Sequence, residues 1–115
     1  MNPIEQLEQQ IAEYYGAPYA VAVDCCTHGI ELCLRLHDEG DPDFPYQFTC
    51  PPHTYLSVPM TFEKLNLDWH FVDNEWERYY TIGNTNIIDA AVLWEQNSYI
   101  PSSLMCISFQ LKKHL

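Results

Sequence analysis

The chain holds 115 residues, 47% of them hydrophobic and 14% aromatic, a composition that excludes a disordered or collagen-like polymer. Five Lys and Arg against 16 Asp and Glu leave a net charge of −11. That balance argues against general nucleic-acid or anionic-membrane binding, because neutralising phosphates needs clustered cations.

The length predicts a single domain over residues 1–115 with a modest core. No apolar run reaches the ~18 residues of a membrane span. The opening MNPIEQLEQQ has neither the basic nor the apolar region of a secretory signal. The cysteine count is five, an odd number, and Cys25 and Cys26 are adjacent. These features predict a reducing, cytoplasmic setting with free thiols, in which Cys33 and Cys106 serve as small buried hydrophobes.

Residues 3–15 are expected to form a helix, capped by Asn2, with Pro3 in its first turn and Gly16 as its stop. Ile4, Leu7, Ile11 and Tyr14 recur at helical spacing and predict its apolar face. YAVAVD (19–24) is β-rich and apolar, as expected of a strand buried on both sides. HGIELCLRLH (28–37) returns to helical spacing through Ile30, Leu32, Cys33, Leu34 and Leu36. DEGDPDFPY (38–46) is a turn-rich acidic loop before a short strand, QFTC (47–50), which Pro51-Pro52 ends.

HTYLSVPMTFEKL (53–65) reads as a helix that Pro59 kinks or shortens. DWHFVD (68–73) reads as a strand, residues 74–85 as irregular, NIIDAAV (86–92) as a strand, EQNSYIPSS (95–103) as loop, and LMCISF (104–109) as a last strand. Helices alternating with apolar strands predict an α/β domain of three layers, a mainly parallel sheet flanked by helices. Ligands of such sheets bind beyond the C-terminal strand ends. The polar clusters Asp24 to His28, Pro51 to Tyr55, Asp89, and Ser108 to Lys113 all fall there.

Each cluster has a functional and a plain reading. Thr27 at a helix start suits a phosphate, or is a simple N-cap. Asp89 closes an apolar strand and suits a protonated pyridine nitrogen, or caps the next segment. Lys113 in a dry pocket suits a Schiff base, or is a solvated terminal lysine. Tyr55 suits stacking on a planar ring, or is a core tyrosine. Cys25, Cys26 and His28, with Cys50 and His53, form the candidate set for zinc, although adjacent cysteines fit a tetrahedron poorly.

Taken together, the segments resemble the DegT/StrS-type sugar aminotransferases, which are fold-type-I pyridoxal phosphate enzymes. The segments that carry the resemblance are IEQLEQQIAEYYGAPYAVAVDCCTHGIELCL (4–34), PPHTYLSVPMTFEKLNLDWHFVD (51–73), IIDAA (87–91) and SFQLKKHL (108–115). Cys26-Thr27 falls where the family has Gly-Thr or Cys-Thr, and the SF-x-x-x-K spacing selects Lys113 over Lys112.

The resemblance implies that Lys113 is the Schiff-base lysine and general base. It implies that Asp89 pairs with the pyridine nitrogen and that Tyr55 stacks on the ring. Thr27, the backbone N–H of His28 and Ser108 would hold the phosphate, with Cys26 beside them. The implied reaction moves an amino group from glutamate or glutamine to a keto-sugar nucleotide, in a homodimer or larger assembly, with no role for nucleic acid or membrane.

Three departures modify this expectation. Val92 follows Ala91 where the family has Gln, so one contact to the cofactor's ring hydroxyl is expected to be lost. The stretch 74–88 is short, where relatives carry a further strand–helix unit. The chain also ends soon after Lys113. That suggests a large domain truncated relative to the fold-type-I transferases, without the C-terminal substrate domain, and an incomplete or degenerate enzyme. Open sheet edges would then favour self-association. The alternatives from other classes are a non-catalytic remnant α/β interaction module and a Cys/His zinc-binding protein.

Overall fold

The computed structural model describes residues 1–40 and 46–109. Helix α1 spans Pro3–Tyr15. Asn2 Oδ1 accepts the Glu5 N–H at 2.8 Å, Pro3 occupies the first turn, and Gly16 closes the helix at φ 73°. The predicted apolar face is not what docks. Ile4 is 60% exposed, whereas Tyr15, outside the predicted stripe, is buried. The Tyr15 hydroxyl donates to the Leu93 carbonyl at 2.5 Å, and the Tyr14 and Tyr15 carbonyls accept N–H groups from Asn97 and Tyr99. Helix α1 is thus anchored through its last turn.

The expected strand over 19–24 is corrected: the segment is irregular, with Tyr19 85% and Val21 80% exposed. Among the described residues no strand pairs with it, and the Ala22 N–H turns to the Glu8 carboxylate at 2.8 Å. Strand preference expresses packing against neighbours, so a β-rich run with no paired strand stays irregular.

Helix α2 spans Cys26–Gly40, absorbing residues 38–40 of the predicted loop; residues 41–45 of that loop lie outside the described residues. Cys26, Ile30 and Leu34, spaced by four, are its buried face, while Leu32 and Leu36 face solvent. Strand β1 (Phe48–Cys50) leads to helix α3 (Ser57–Lys64), which starts later than the predicted 53. Pro59 therefore lies in the first turn, where a missing N–H costs no helical bond, and no kink is needed. Strand β2 (Trp69–Phe71) pairs in parallel with β1, placing Cys50 opposite Phe71.

Three strands form a second sheet: β3 (Tyr80–Thr81), β4 (Ile87–Asp89) and β5 (Leu104–Cys106), in that spatial order. Strand β4 is parallel to β5 and antiparallel to β3. One parallel pair and one mixed sheet thus stand in place of the mainly parallel sheet expected, within an α/β arrangement. The reason is chain length. Parallel neighbours need a crossover of roughly a dozen residues or more, and the connection from Thr81 to Ile87 permits only a hairpin. Its tip is Gly83, at φ 55°, where an added Cβ would collide with the Gln47 carbonyl oxygen. Two hydrogen bonds between Gln47 and Asn84 tie this tip to the chain just before β1.

The core gathers the buried face of α2 with Phe48, Cys50, Phe62, Tyr80, Ile82 and Ile87. A smaller cluster of Ile88, Ala90 and Leu93 lies apart from it. All five cysteines are free thiols, as expected. Cys106 is buried and Cys33 half-buried, their sulfurs 3.9 Å apart. Among the described residues no helix is long and apolar enough to cross a membrane.

Candidate cofactor site

Strand β4 ends on Asp89, which is buried at 4% exposure. The antiparallel register sets Tyr80 of β3 directly opposite it. The Tyr80 hydroxyl donates to Asp89 Oδ2 at 2.7 Å, and the Ala91 N–H reaches Asp89 Oδ1 at 3.2 Å. With its one proton so used, the Tyr80 hydroxyl accepts from Thr54 Oγ1 at 2.5 Å. A relay Thr54–Tyr80–Asp89 therefore runs from the loop after β1 to the end of β4.

The charge of Asp89 is felt around it. Burial first, then that charge, pushes the Cys50 thiol up to about 11. Burial and the same carboxylate push the Tyr80 phenol far above its ordinary range. The hydrogen bond with Cys33 and burial, with a further contribution from Asp89, raise Cys106. These two thiols and the phenol stay neutral at ordinary pH.

The loop that supplies Thr54 also meets α2. Thr27, in the first turn of α2, donates its hydroxyl to Ser57 Oγ at 3.0 Å. Thr27 is one residue inside the helix and is not its N-cap. Tyr55 lies just before α3 and is 41% exposed, so it is not a core tyrosine. His28 is exposed, and its Nδ1 lies 2.6 Å from Asp24 Oδ1; that hydrogen bond holds the Asp24 carboxyl below its usual range. The Cys26 side chain turns into the core.

Ser108 is buried, and its carbonyl accepts the Trp94 indole N–H at 2.8 Å. The last predicted strand is shorter than expected, ending at Cys106, so Ser108 lies beyond it. Lys113, with Lys112, lies outside the described residues.

The structure thus connects Asp89 and Thr27, through Thr54 and Ser57 of a single loop-to-helix segment. Thr54 lies within the polar cluster Pro51 to Tyr55 that the sequence pattern singles out, whereas Tyr80 and Ser57 lie outside every such cluster. The sequence signal near Tyr80 is the Gly83-Asn84 pair between apolar runs, a hairpin signature; the observed pairing, Thr81 with Ile88, sets Tyr80 across from Asp89.

The five-residue zinc set is not assembled, because Cys26 and Cys50 are buried in the core. The group that does form among the described residues is Asp24, Cys25 and His28, whose ligand atoms lie within 4.8 Å of one another. A cleft of about 400 Å³ between β1 and β3 includes Cys50 and Tyr80 in its wall but not Asp89.

The family model for the DegT/DnrJ/EryC1/StrS aminotransferase family matches residues 2–96. The chain belongs to this family. Comparison with curated proteins and with solved structures finds no significant match.

For a family member, the fit of these residues to pyridoxal phosphate can be tested on the chemistry of Asp89. Its oxygens receive a phenol O–H and a backbone N–H. A dry carboxylate of this kind suits a cationic ring N–H, whose charge would be stabilised by it. At α2, the first turn presents backbone N–H groups that lack helical partners, which suits a phosphate. The residues present fit the group.

Proposed function

We propose that this chain contributes the pyridoxal phosphate site of a sugar aminotransferase, transferring an amino group from glutamate or glutamine to a keto-sugar nucleotide. The observation that carries the reading is buried Asp89, linked through Thr54 and Ser57 to Thr27 at the mouth of α2. In this reading Asp89 holds the pyridine nitrogen protonated, and the bound cofactor supplies an electron sink for the reaction.

The chain's own residues do the rest. Thr27, the backbone at Cys26 and His28, and Ser108 bind the phosphate. Tyr55, being exposed at the edge of the site, covers the ring. Lys113 supplies the amine that anchors the cofactor and carries the proton between carbon centres. Self-association is part of the proposal. Tyr19, Val21 and Val23 expose apolar surface on this irregular segment, and a second copy would cover it. A cytoplasmic location follows from the same reading.

The test is spectroscopic. Purified protein mixed with pyridoxal phosphate is expected to develop a visible absorbance band, and borohydride is expected to fix the cofactor on Lys113. An unchanged spectrum, with Lys113→Ala binding as much cofactor as the native chain, counts against the reading.

One second reading has an observation in its favour. Asp24, Cys25 and His28 offer three ligand atoms to a metal ion. Elemental analysis of protein purified without added metal separates the two, since the cofactor reading requires no stoichiometric zinc.

A further inference from the structure

Two thiols that the proposed function does not use meet where α2 packs on β5. Cys33 of α2 and Cys106, the last residue of β5, have their sulfurs 3.9 Å apart. They are 73 residues apart in the chain, so only the fold brings them together. Cys106 is 7% exposed and Cys33 is half-buried. Gly29 lies one turn before Cys33, on the same face of the helix. It has no side chain to hold β5 away, and a Cβ placed there would already lie 3.9 Å from the Cys106 sulfur. The helix backbone therefore passes close to the end of β5, as a covalent link between their side chains requires.

We propose that Cys33 and Cys106 are a redox pair, which hydrogen peroxide oxidises to an intramolecular disulfide tying α2 to β5. Cys33, as the thiolate, attacks one peroxide oxygen. An S–O bond forms, the O–O bond breaks, and the departing hydroxide takes up the Cys33 proton as water, leaving a sulfenic acid. The Cys106 sulfur then attacks the Cys33 sulfur. The S–S bond forms, the S–O bond breaks, and the second hydroxide leaves as water with the Cys106 proton. The two sulfurs together lose two electrons, and the peroxide gains them.

The order of attack follows from the surroundings. Peroxide is little larger than water and reaches the half-buried sulfur more readily than the buried one. The hydrogen bond from Cys106 holds the Cys33 thiol below its usual range, against the opposing effect of burial. The same bond, with burial, raises the Cys106 thiol well above its own. Cys33 is thus the attacking thiol and Cys106 the resolving one. Cys26 also lies near Cys106, so a bond between those two is the competing product. The proposal does not rest on the cofactor reading, although the link would lie beside that site, since Cys106 is paired in register with Asp89.

The test maps the bond. The full chain is reduced, freed of reductant and treated with hydrogen peroxide; its remaining thiols are alkylated, and the denatured protein is cut after glutamate. Cleavage after Glu31 and Glu39 separates Cys33 from Cys25 and Cys26, and cleavage after Glu95 leaves Cys106 as the one cysteine of its fragment. The expected product joins fragment 32–39 to fragment 96–115, at their summed mass less two hydrogen atoms, and dithiothreitol releases it. Recovery of both fragments alkylated, or of Cys106 joined to the fragment carrying Cys25 and Cys26, overturns the proposal.

Two variants test the division of roles. In Cys33→Ala, Cys106 is expected to stay an alkylatable thiol after peroxide treatment; its oxidation at the native rate overturns the proposal. In Cys106→Ala, the Cys33 sulfenic acid has no partner to consume it, and dimedone is expected to trap it several-fold more than in the native chain. Equal trapping in the two overturns the resolving role of Cys106. Should Cys106→Ala not fold, the linkage in the native chain and the Cys33→Ala result decide.

Discussion

Thr27 on α2 and Ser57 on α3 share a hydrogen bond of 3.0 Å, although they lie 30 residues apart. This bond joins the mouth of one helix to the first turn of the next. It sits on the same chain segment that sends Thr54 to Tyr80. Any ligand held at the start of α2 is therefore coupled to the end of β4 through residues 54–57.

Thr27→Val keeps the shape of the side chain and removes its hydroxyl. Pyridoxal phosphate affinity is expected to fall about tenfold, the effect of roughly one hydrogen bond to a charged group. Stability is expected to fall by about 1 kcal/mol or less, because the Ser57 hydroxyl left behind is only part-buried. Absorbance titration and thermal melting measure the two, and unchanged affinity rules Thr27 out of phosphate binding.

Gly83 is where the hairpin of β3 and β4 touches the segment before β1. Its positive φ disfavours any side chain, and a Cβ would collide with the Gln47 backbone oxygen, which cannot swing away. Gly83→Ala is expected to destabilise the protein by about 2 kcal/mol or more, since strain and clash act together. Denaturant unfolding tests this. A variant as stable as the native chain would show that Gln47 and Gly83 do not approach so closely.

Much of this fold was legible because its signals are local. Asn2-Pro3 and Gly16 bound α1 by cap chemistry, and Asp89 could be read as the acid at the end of an apolar strand. What failed was non-local. The run at 19–24 has strand composition, but composition does not provide a neighbour to pair with. Tyr80 lay in a stretch read as irregular, because its place is set by register against β4. The apolar spacing of Ile4 and Leu7 on α1 was real, yet the described residues bury α1 through Tyr15 instead.

Alkaline pH provides a different test of the core. The Cys50 thiol is raised from the ordinary value near 9.0 to about 11 by burial, then by the charge of Asp89. The unfolded chain loses this proton first, so between those two values the folded state binds more protons. Stability from this group is whole below about pH 8.5 and is lost as the pH climbs toward the folded value. Cys50→Val removes the titration, and unfolding free energies measured from pH 8 to 11 are expected to fall less steeply than in the native chain. Equal slopes would show that Cys50 ionises alike in both states.

Helix α2 allows a comparison of two leucines two residues apart. Leu34 has no exposed surface, and Leu36 is 61% exposed. Both belong to the apolar run that marked this helix in the sequence. Truncating a fully buried leucine removes its transfer energy and leaves a cavity, so Leu34→Ala is expected to cost about 2–5 kcal/mol. Leu36→Ala, on the open face, is expected to change stability by less than about 0.5 kcal/mol. Because Leu34 is packed in the cluster that contains Cys26, Tyr80 and Ile87, its truncation also loosens the wall behind Asp89. Cofactor affinity should therefore fall in Leu34→Ala and stay unchanged in Leu36→Ala. Similar stability losses in the two variants would mean that the helix is rotated about its axis from the orientation described.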